Sequence, residues 1–304
     1  MLHLKLIAAS GFWALTPIIA RVLADYSAPY ALVFGRFLVA AVALFFIMRA
    51  TGTRIGSMKR FAVTFALLGL TGICLHNVLV FMGVEHTQAN RANVIFATIP
   101  IIVAVIDGLF LGNRYHRGAM FGIATGILGT AIVMTDGALP NLFDGAIGIG
   151  EWLVLGSAAS WALYSIIGRA VLREVSPLVV TYLAVLFGLV LLVPFVSLDS
   201  EAIPRLIRDP AALGMIAFLG VFNSALGFLW YSEAVAGLGA MATSAYINLV
   251  PVFGVVLSAL LLSEMPSVSL LTGAGLVIGA LILINRYPSP IASRESASRV
   301  RPVQ

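Results

Sequence analysis

Long apolar runs separated by short polar connections dominate the chain. A bilayer core of about 30 Å is crossed by a helix of about 20 apolar residues. Runs that approach or reach this length occupy residues 4–24, 29–48, 61–82, 91–111, 118–134, 149–172, 178–198, 211–231, 242–262 and 270–284. The pattern predicts an all-α polytopic membrane protein with ten transmembrane helices. The polar residues 287–304, rich in Ser, Pro and Arg, are predicted to form a disordered tail.

Composition narrows the class of protein further. Hydrophobic residues make up 61% of the 304 residues, charged residues make up only 10%, and the mean hydropathy is +1.05. So few charges cannot cover the surface of a water-soluble protein with a core this apolar. The single cysteine, Cys74, excludes a disulfide scaffold and a cysteine metal site.

Sequence motifs of nucleotide-driven and hydrolytic chemistry are missing from the chain. It contains no phosphate-binding loop, no His-Glu-x-x-His zinc motif and no Gly-x-Ser-x-Gly nucleophile turn. We therefore predict a protein that is not an enzyme, with no catalytic residue, metal or cofactor, and with no transport driven by its own nucleotide hydrolysis.

The basic residues predict the orientation in the membrane, because cytoplasmic connections are enriched in Lys and Arg. With the N-terminus in the cytoplasm, 13 of the 18 Lys and Arg residues fall in inner segments, and 4 fall in outer ones. The formal net charge of +5 is explained by this bias, without a nucleic-acid partner. We predict that both termini face the cytoplasm and that the protein lies in a bacterial inner (plasma) membrane.

The second half of the chain repeats features of the first. At a shift of 148 residues, Trp-Ala-Leu at 13–15 matches Trp-Ala-Leu at 161–163, and at a shift of 151 residues Pro100 matches Pro251. Each copy contains five predicted spans, so the second copy would enter the membrane inverted, as in many secondary transporters. The predicted units are a first five-helix repeat at 1–136, an outer linker at 137–148, a second inverted five-helix repeat at 149–286 and a cytoplasmic tail at 287–304. The repeat also favours a structural first helix over the alternative of a cleaved signal peptide.

Several of these features resemble a known family. Trp-Ala-Leu in the first predicted helix, Gly-Arg-Phe-Leu-Val-Ala-Ala at 35–41, a proline within the fourth helix and glycine-rich fifth helices are similar to the drug/metabolite transporter (DMT) superfamily, EamA type. The resemblance covers residues 5–286, and within the superfamily it is closest to the YddG-type aromatic amino-acid exporters. Members commonly end the fourth and ninth helices with an acidic residue. Here Glu264 is present in the second copy, but Gly112 and Asn113 stand in the first.

The resemblance implies an exporter of small metabolites, with amino acids, and aromatic ones above all, as substrates. It also implies a central cavity enclosed by helices one, three, four, six, eight and nine. The expected partners are a small-molecule substrate and the lipid bilayer, and the expected state is a monomer or a weak homodimer.

Small and polar residues form a stripe along the fourth and ninth predicted helices, at helical spacing around a proline. Proline leaves the carbonyl four residues earlier unpaired, at Phe96 and at Ile247, which would expose an acceptor at mid-membrane. Two interpretations stay open, a cavity lining and a close helix contact. The stripe residues are Asn93, Ala97, Pro100, Ala104 and Asp107 in one copy and Ser244, Asn248, Pro251, Val255 and Ser258 in the other.

Aromatic and amide side chains on the other helices extend this candidate site. Rings would stack on the apolar part of an amphiphilic solute, and amides would hold its zwitterionic end. Ordinary packing is the alternative for each aromatic residue. His76 would bind a carboxylate, carry a proton or be neutral and bonded to a neighbouring helix. The candidate cavity residues are Trp13, Thr16, His76, Asn77, Asn93, Pro100, Trp161, Tyr164, Asn223, Trp230, Tyr246, Asn248 and Pro251.

Two further features are interpreted as structural. Arg36 lies about a third of the way into the second span, where it would extend towards the interface or pair with an acidic residue. Glycines at four-residue spacing in the fifth and tenth spans predict close helix packing, within the fold or between subunits. These glycines are Gly118, Gly122, Gly126, Gly275 and Gly279.

The leading hypothesis is a secondary transporter that works by alternating access. A membrane-embedded enzyme acting on a lipid-linked substrate is one alternative, although it needs clustered carboxylates or histidines, and the chain offers only scattered ones. A passive channel or a non-transporting subunit is the other alternative.

Overall fold

The structure is a computed structural model that describes residues 1–56, 58–110, 116–141, 147–238, 243, 246 and 249–287. Every regular element in these ranges is helical. The long helices are α1 (Leu2–Val22), α2 (Pro29–Thr51), α3 (Ala62–Leu68, Gly69–Leu75 and His76–Val84), α4 (Ala89–Phe96 and Ile99–Phe110), α5 (Arg117–Met134), α6 (Ile149–Val171), α7 (Pro177–Val196), α8 (Pro210–Phe218, Leu219–Gly227 and Phe228–Leu238), α9 (Leu249–Leu262) and α10 (Val268–Arg286). Shorter helical turns lie in the connections, at Ala24–Tyr26, Lys59–Phe61, Leu139–Asn141, Ser197–Asp199 and Ile203–Arg208.

Eight of the described helices, α1 to α8, are long and apolar enough to cross a membrane, and α9 and α10 are shorter apolar helices. Large apolar side chains cover much of the outer surface. Phe46, Val190 and Leu260 are each about two-thirds or more exposed. Such a surface is unfavourable in water but suits contact with lipid. The predicted all-helical, multi-pass membrane class is confirmed.

Helix starts follow local sequence signals. Pro29, Pro177 and Pro210 occupy the first turn of α2, α7 and α8, where no backbone N–H is needed. The Asp209 carboxylate accepts hydrogen bonds from the first turn of α8, and the Ser267 hydroxyl does the same for α10. These caps satisfy donors that a helix start otherwise leaves unpaired.

The helix break in α4 agrees with the proline at position 100. The first part of α4 ends at Phe96, and the helix resumes at Ile99. Pro100 has no N–H to donate to the Phe96 carbonyl, so the α-helical ladder is interrupted just before it. The equivalent expectation for Ile247, with Ser244 and Asn248, falls outside the described residues.

Two helices contain wide π-helical turns that the sequence pattern did not predict, at Gly69–Leu75 in α3 and at Leu219–Gly227 in α8. Such turns leave i→i−4 acceptors without their usual partner. In α3 the Asn77 side-chain amide donates to the carbonyls of Gly72 and Ile73, at 2.9 and 3.0 Å. Asn77 therefore serves its own helix.

Contacts between the two parts of the chain come in reciprocal pairs. The wide-turn segment of α3 packs on α7, and that of α8 packs on α2. Gly69 lies against the backbone of Gly188, and Gly220 lies against Val39 and the carbonyl of Arg36. α2 also packs on α7 and α5 on α10, so exchanging the two parts would preserve these pairs.

The glycines of α5 allow close contact with α10. A Cβ atom added at Gly129 would lie 2.8 Å from the Gly273 carbonyl oxygen, so any larger residue there would force the helices apart. In contrast, Gly275 and Gly279 meet nothing within 4 Å. Packing within the fold therefore uses Gly273, and the prediction for Gly275 and Gly279 was wrong for contacts within the chain.

Candidate functional site

A small cavity of about 50 Å³ lies where seven helices meet near the middle of the molecule. This volume holds a few water molecules, whereas sites for drug-sized ligands measure about 300–1,000 Å³. The cavity would have to enlarge to hold a ligand of that size. The lining residues are Trp13 and Thr16 from α1, Arg36 from α2, His76 from α3, Phe96 and Ile99 from α4, Trp161 from α6, Asn223 and Phe228 from α8, and Val250 from α9.

One wall of the cavity is aromatic. The rings of Trp13 and Trp161 meet edge-to-face, with centroids 5.7 Å apart. The Phe228 ring contacts both of them edge-on, at 6.3 Å from Trp13 and 5.0 Å from Trp161. Such contacts hold large rings in fixed orientations. The wall is preformed for an apolar or aromatic group.

The polar part of the lining centres on the guanidinium of Arg36, a residue that is only 2% exposed. Its Nε donates to the Ser224 hydroxyl at 2.6 Å, and its Nη2 donates to the Asn223 side-chain oxygen. No carboxylate pairs with this guanidinium among the described residues. The prediction that Arg36 extends to the interface or pairs with an acidic residue was wrong, because amide and hydroxyl acceptors on α8 hold it inside the fold.

Asn223 connects three helices. Its side-chain N–H groups donate to the Phe12 carbonyl and the Thr16 hydroxyl, both at 2.6 Å, while its oxygen accepts from Arg36. A buried amide with all of these bonds is fixed in position. Asn223 thus orients the guanidinium relative to α1.

His76 lies beside Trp161, with ring centroids 4.8 Å apart. Its Nδ1 lies 2.7 Å from the Ser157 hydroxyl oxygen and 3.1 Å from the Ser157 carbonyl oxygen. A carbonyl oxygen only accepts, and the Ser157 hydroxyl already donates to the His76 carbonyl at 2.8 Å. The hydrogen of the ring is therefore assigned to Nδ1, and His76 is bonded to a neighbouring helix.

Comparison with known families identifies the chain. A model of the EamA-like transporter family matches residues 2–135 and, separately, residues 148–286. The chain belongs to the EamA-like transporter family. This family is part of the DMT superfamily, as the sequence features indicated, and this member is a membrane transporter protein and not an enzyme.

Individual relatives of this EamA-like protein are also described as transporters. The uncharacterized transporter YyaM of Bacillus subtilis (strain 168) is 29% identical over 259 residues, which cover 84% of this chain and 85% of YyaM. A protein of Streptantibioticus cattleyicolor named "Probable terminal-alkyne amino-acid exporter" is 29% identical over 252 residues, covering 83% of this chain and 82% of that protein.

A solved crystal structure supports the fold alone. It superposes on this EamA-like chain with a TM-score of 0.52 at 17% sequence identity, covering 91% of this chain and 95% of the other.

The structure brings together part of the predicted site of this EamA-like protein. Trp13, Thr16, His76, Trp161 and Asn223 all line the cavity. They come from four helices that are distant in sequence, so their convergence depends on the fold.

Other candidate residues are buried close to the cavity but do not line it. Tyr164 packs over Gly72 and lies 5.0 Å from Trp161, ring to ring. The Asn93 amide donates to the carbonyls of Ala14 and Ala89, at 3.2 and 3.1 Å, and so ties α4 to α1.

Four further candidates among the described residues are also absent from the lining. The Tyr246 hydroxyl hydrogen-bonds with His3 at 2.6 Å, and Trp230 lies 6.0 Å from the Lys5 ammonium. Both contacts are at the end of α1 that begins the chain. Pro100 and Pro251 are also outside the lining, and Asn248 falls outside the described residues.

Five described lining residues are not among the candidate cavity residues predicted from the sequence. One is Arg36, which the sequence analysis interprets as structural, and the other four are apolar. Phe96 and Ile99 flank the break in α4, and Phe228 stands at the repeat position of Asn77. A signal for Arg36 existed, because an ionisable residue within a span is by default a functional candidate. Nothing in the pattern distinguished Val250 from its apolar neighbours.

Ion pairs join helices at the two ends of the bundle. At one end Arg91 in α4 pairs with Glu151 in α6 at 3.0 Å. It also pairs with Asp136, which follows α5, at 3.3 Å. At the other end Lys5 binds Glu233 at 2.7 Å, which links α1 to α8. The Arg91–Glu151 and Lys5–Glu233 pairs each join the first part of the EamA-like chain to the second.

Proposed function

We propose that this protein is a secondary transporter that exports small metabolites, amino acids and especially aromatic ones, across a bacterial inner membrane. The observation that carries the proposal is the cavity itself. It combines the aromatic wall of Trp13, Trp161 and Phe228 with the polar group of Arg36 and Asn223. Such a lining matches a solute with one apolar and one charged end. The name of the Streptantibioticus relative supports amino acids as the class of substrate.

The architecture proposed for this activity is two five-helix repeats, at 1–136 and 149–286, inserted with opposite orientation. Two separate matches to one family description, at 2–135 and 148–286, support the duplication. The reciprocal packing of α3 on α7 and of α8 on α2 supports it further. Inverted repeats can exchange conformations, and this exchange opens a central site first to one side and then to the other.

Alternating access would break the ion pairs at the two ends in turn. Opening one end requires the Arg91–Glu151 pair to separate, and opening the other requires Lys5 and Glu233 to separate. The cavity of about 50 Å³ must also enlarge before it admits an amino acid. Both ion pairs are formed in this structure, so each open state would differ from it by the loss of one pair.

The activity is tested by reconstituting the purified protein in liposomes loaded with labelled phenylalanine or tryptophan and following efflux. Empty liposomes and the Trp161→Ala variant serve as controls. We expect saturable efflux that the variant loses, since Trp161 forms the centre of the aromatic wall. Absence of transport by folded protein over a broad panel of metabolites would contradict the proposal. Rates far above those of alternating access would favour a channel.

The inverted layout has its own test. Single cysteines at positions 54 and 205, in a Cys74→Ser background, are labelled with a membrane-impermeant reagent in whole cells. The proposed topology has Arg54 in an inner segment and Arg205 in an outer one. We expect labelling at position 205 only. Equal labelling at both positions would contradict the ten-span, antiparallel arrangement with cytoplasmic termini.

A further inference from the structure

One nitrogen of the Arg36 guanidinium makes no hydrogen bond to any described residue. Nε and Nη2 are bonded to Ser224 and Asn223, whereas the buried Nη1 has no hydrogen-bond partner in the described structure. A buried donor on a charged group carries a large desolvation cost when it is unpaired. Arg36 also lines the cavity. An acceptor that enters the cavity would remove this cost.

The described lining of the cavity carries a positive charge without a negative one. Among the described residues that line the cavity, none is Asp or Glu, and Arg36 is the one with a permanent positive charge. Lys5 and Arg91, the cations at the two ends, are each paired with a carboxylate. The cavity therefore offers a cation to an anionic group, without a matching anion for an ammonium group.

We propose that Arg36 binds the carboxylate of the transported molecule, and that the substrate class is small carboxylates with an aromatic or bulky apolar body, whose amino group is not required for binding. This inference rests on the proposed transport function and specifies the chemistry of its site. The carboxylate hydrogen-bonds Nη1, and the apolar body lies against the rings of Trp13, Trp161 and Phe228.

The support of the guanidinium suits this role. Ser224 and Asn223 fix its plane from α8, and Asn223 is itself held by Thr16 on α1. A fixed guanidinium loses little conformational freedom when it binds an anion, and a charge-assisted bond in a mostly apolar cavity is strong. Because the supporting bonds join α1, α2 and α8, binding also couples the charge of the substrate to the positions of these helices.

An ammonium group finds only weaker partners here. The faces of Trp13 and Trp161 can attract a cation, but this interaction is modest beside a charged hydrogen bond. 3-Phenylpropanoate, which lacks the amino group of phenylalanine, should therefore bind at least as well as phenylalanine. Phenethylamine, which lacks the carboxylate, should not bind.

The test measures thermal unfolding of the purified full-length protein with each of these three compounds, and with sodium chloride as a salt control. We expect 3-phenylpropanoate and phenylalanine to raise the melting temperature by about 2–4 °C at saturating concentration, and phenethylamine and chloride to leave it unchanged. An equal rise with phenethylamine would overturn the proposal. An equal rise with chloride would also overturn it, because the site would then take inorganic anions.

Two variants test the assignment to Arg36. In Asn223→Asp a built-in carboxylate lies next to the guanidinium, so the protein keeps Arg36 paired but should lose the response to 3-phenylpropanoate. Arg60→Gln removes a cation that is exposed and paired with Glu174 at the surface, and should keep the response. A retained response in folded Asn223→Asp would overturn the assignment.

The two proposals fail in different ways. If phenylalanine is exported but 3-phenylpropanoate neither stabilises the protein nor competes for efflux, the carboxylate inference is wrong and the transport function stands. If 3-phenylpropanoate stabilises the protein through Arg36 but no amino acid is exported, the inference stands and the proposed substrates are wrong.

Discussion

The wide-turn segments of α3 and α8 stand at matching places in the proposed repeat, yet they are filled in different ways. In α3, Gly72 lies under the ring of Tyr164, and Ile73 packs against Gly188. In α8, the position that matches Gly72 is Asn223, and the position that matches Tyr164 is Thr16. A small residue under a large apolar one has been exchanged for two hydrogen-bonded polar residues.

The same contrast continues in the next residue. Ile73 in α3 is fully buried against apolar neighbours, whereas its counterpart Ser224 accepts a hydrogen bond from Arg36. The comparison teaches that one fold position can serve packing in one copy and chemistry in the other. The wide-turn segment of α3 is packed against side chains. The wide-turn segment of α8 hydrogen-bonds Arg36 of α2, the only Arg among the described lining residues of the cavity.

The largest effect is expected from Asn223→Ala, compared with Asn77→Ala in α3. Loss of Asn223 leaves the Arg36 guanidinium short of an acceptor, which should cost about 2–4 kcal/mol of stability and slow transport at least about tenfold. Asn77 bonds only its own helix, so Asn77→Ala should cost about 1 kcal/mol and preserve transport. Thermal unfolding and liposome efflux measure the two quantities. Equal losses in both variants would break the comparison.

A second pair of changes gives the wide-turn segment of α3 the polar residues found at the matching positions around α8. Gly72→Asn places atoms within the Tyr164 ring and should destabilise the protein by about 1–3 kcal/mol through overpacking. Adding Tyr164→Thr makes room and provides a hydroxyl partner, so the double variant should recover part of the loss. A double-mutant cycle on melting temperatures measures the coupling. Additive losses would show that the two positions do not share one space.

A smaller effect is expected from Ser157→Ala. This change removes the hydroxyl that bonds both His76 Nδ1 and the His76 carbonyl, at a cost of about 1 kcal/mol. Because the Ser157 carbonyl still accepts from the ring, transport should be largely unchanged. If efflux is lost while the protein remains folded, His76 takes part in the chemistry, and α3 is then more than a packing segment.

The smallest effect is expected from Asp209, which caps the start of α8, in contrast to the start of α3. The hydrogen bond from the Tyr26 hydroxyl, together with those from the N–H groups of Ala211 and Ala212, lowers the pKa of Asp209 at the start of α8. A carboxyl whose pKa is lowered by folding stabilises the protein above its ordinary pKa, near 4, and this contribution is lost as the pH falls below it. The start of α3 has no side-chain cap. We expect the melting temperature to fall between about pH 5 and pH 3, and to fall less in Asp209→Asn. Identical pH profiles would contradict this role.

Much of the fold could be predicted because it depends on local pattern. The apolar runs placed most helix ends to within about three residues, since a run of suitable length has no other stable state in lipid. The end of α8 at Leu238 lies seven residues beyond the predicted run. Pro100 located the break in α4, because a missing N–H acts within one turn. The wide turns in α3 and α8 were not predicted, because they depend on how Gly69 and Gly220 meet other helices.

The candidate site was predicted in part, and repetition was not required. Thr16, His76 and Asn223 line the cavity although the other half has different residues at their matching positions. Trp13 and Trp161 recur in both halves and both line the cavity. Tyr164 is also an aromatic residue suited to stacking on a substrate, but its ring packs on Gly72. Sequence spacing did not show which way this side chain points. The sequence pattern does not show the environment of Arg36, because its acceptors Asn223 and Ser224 lie more than 180 residues away in the sequence.

By itself, the sequence determined that this chain is a helical membrane protein of the transporter class, because hydropathy and the repeated motifs act at the level of single helices. Only the tertiary structure decided that Arg36 is buried without a carboxylate and that one of its nitrogens is unpaired beside an aromatic wall. The physical reason is distance along the chain. The cost of a buried charge depends on which polar groups the fold brings to it, and those groups come from helices that no local pattern connects.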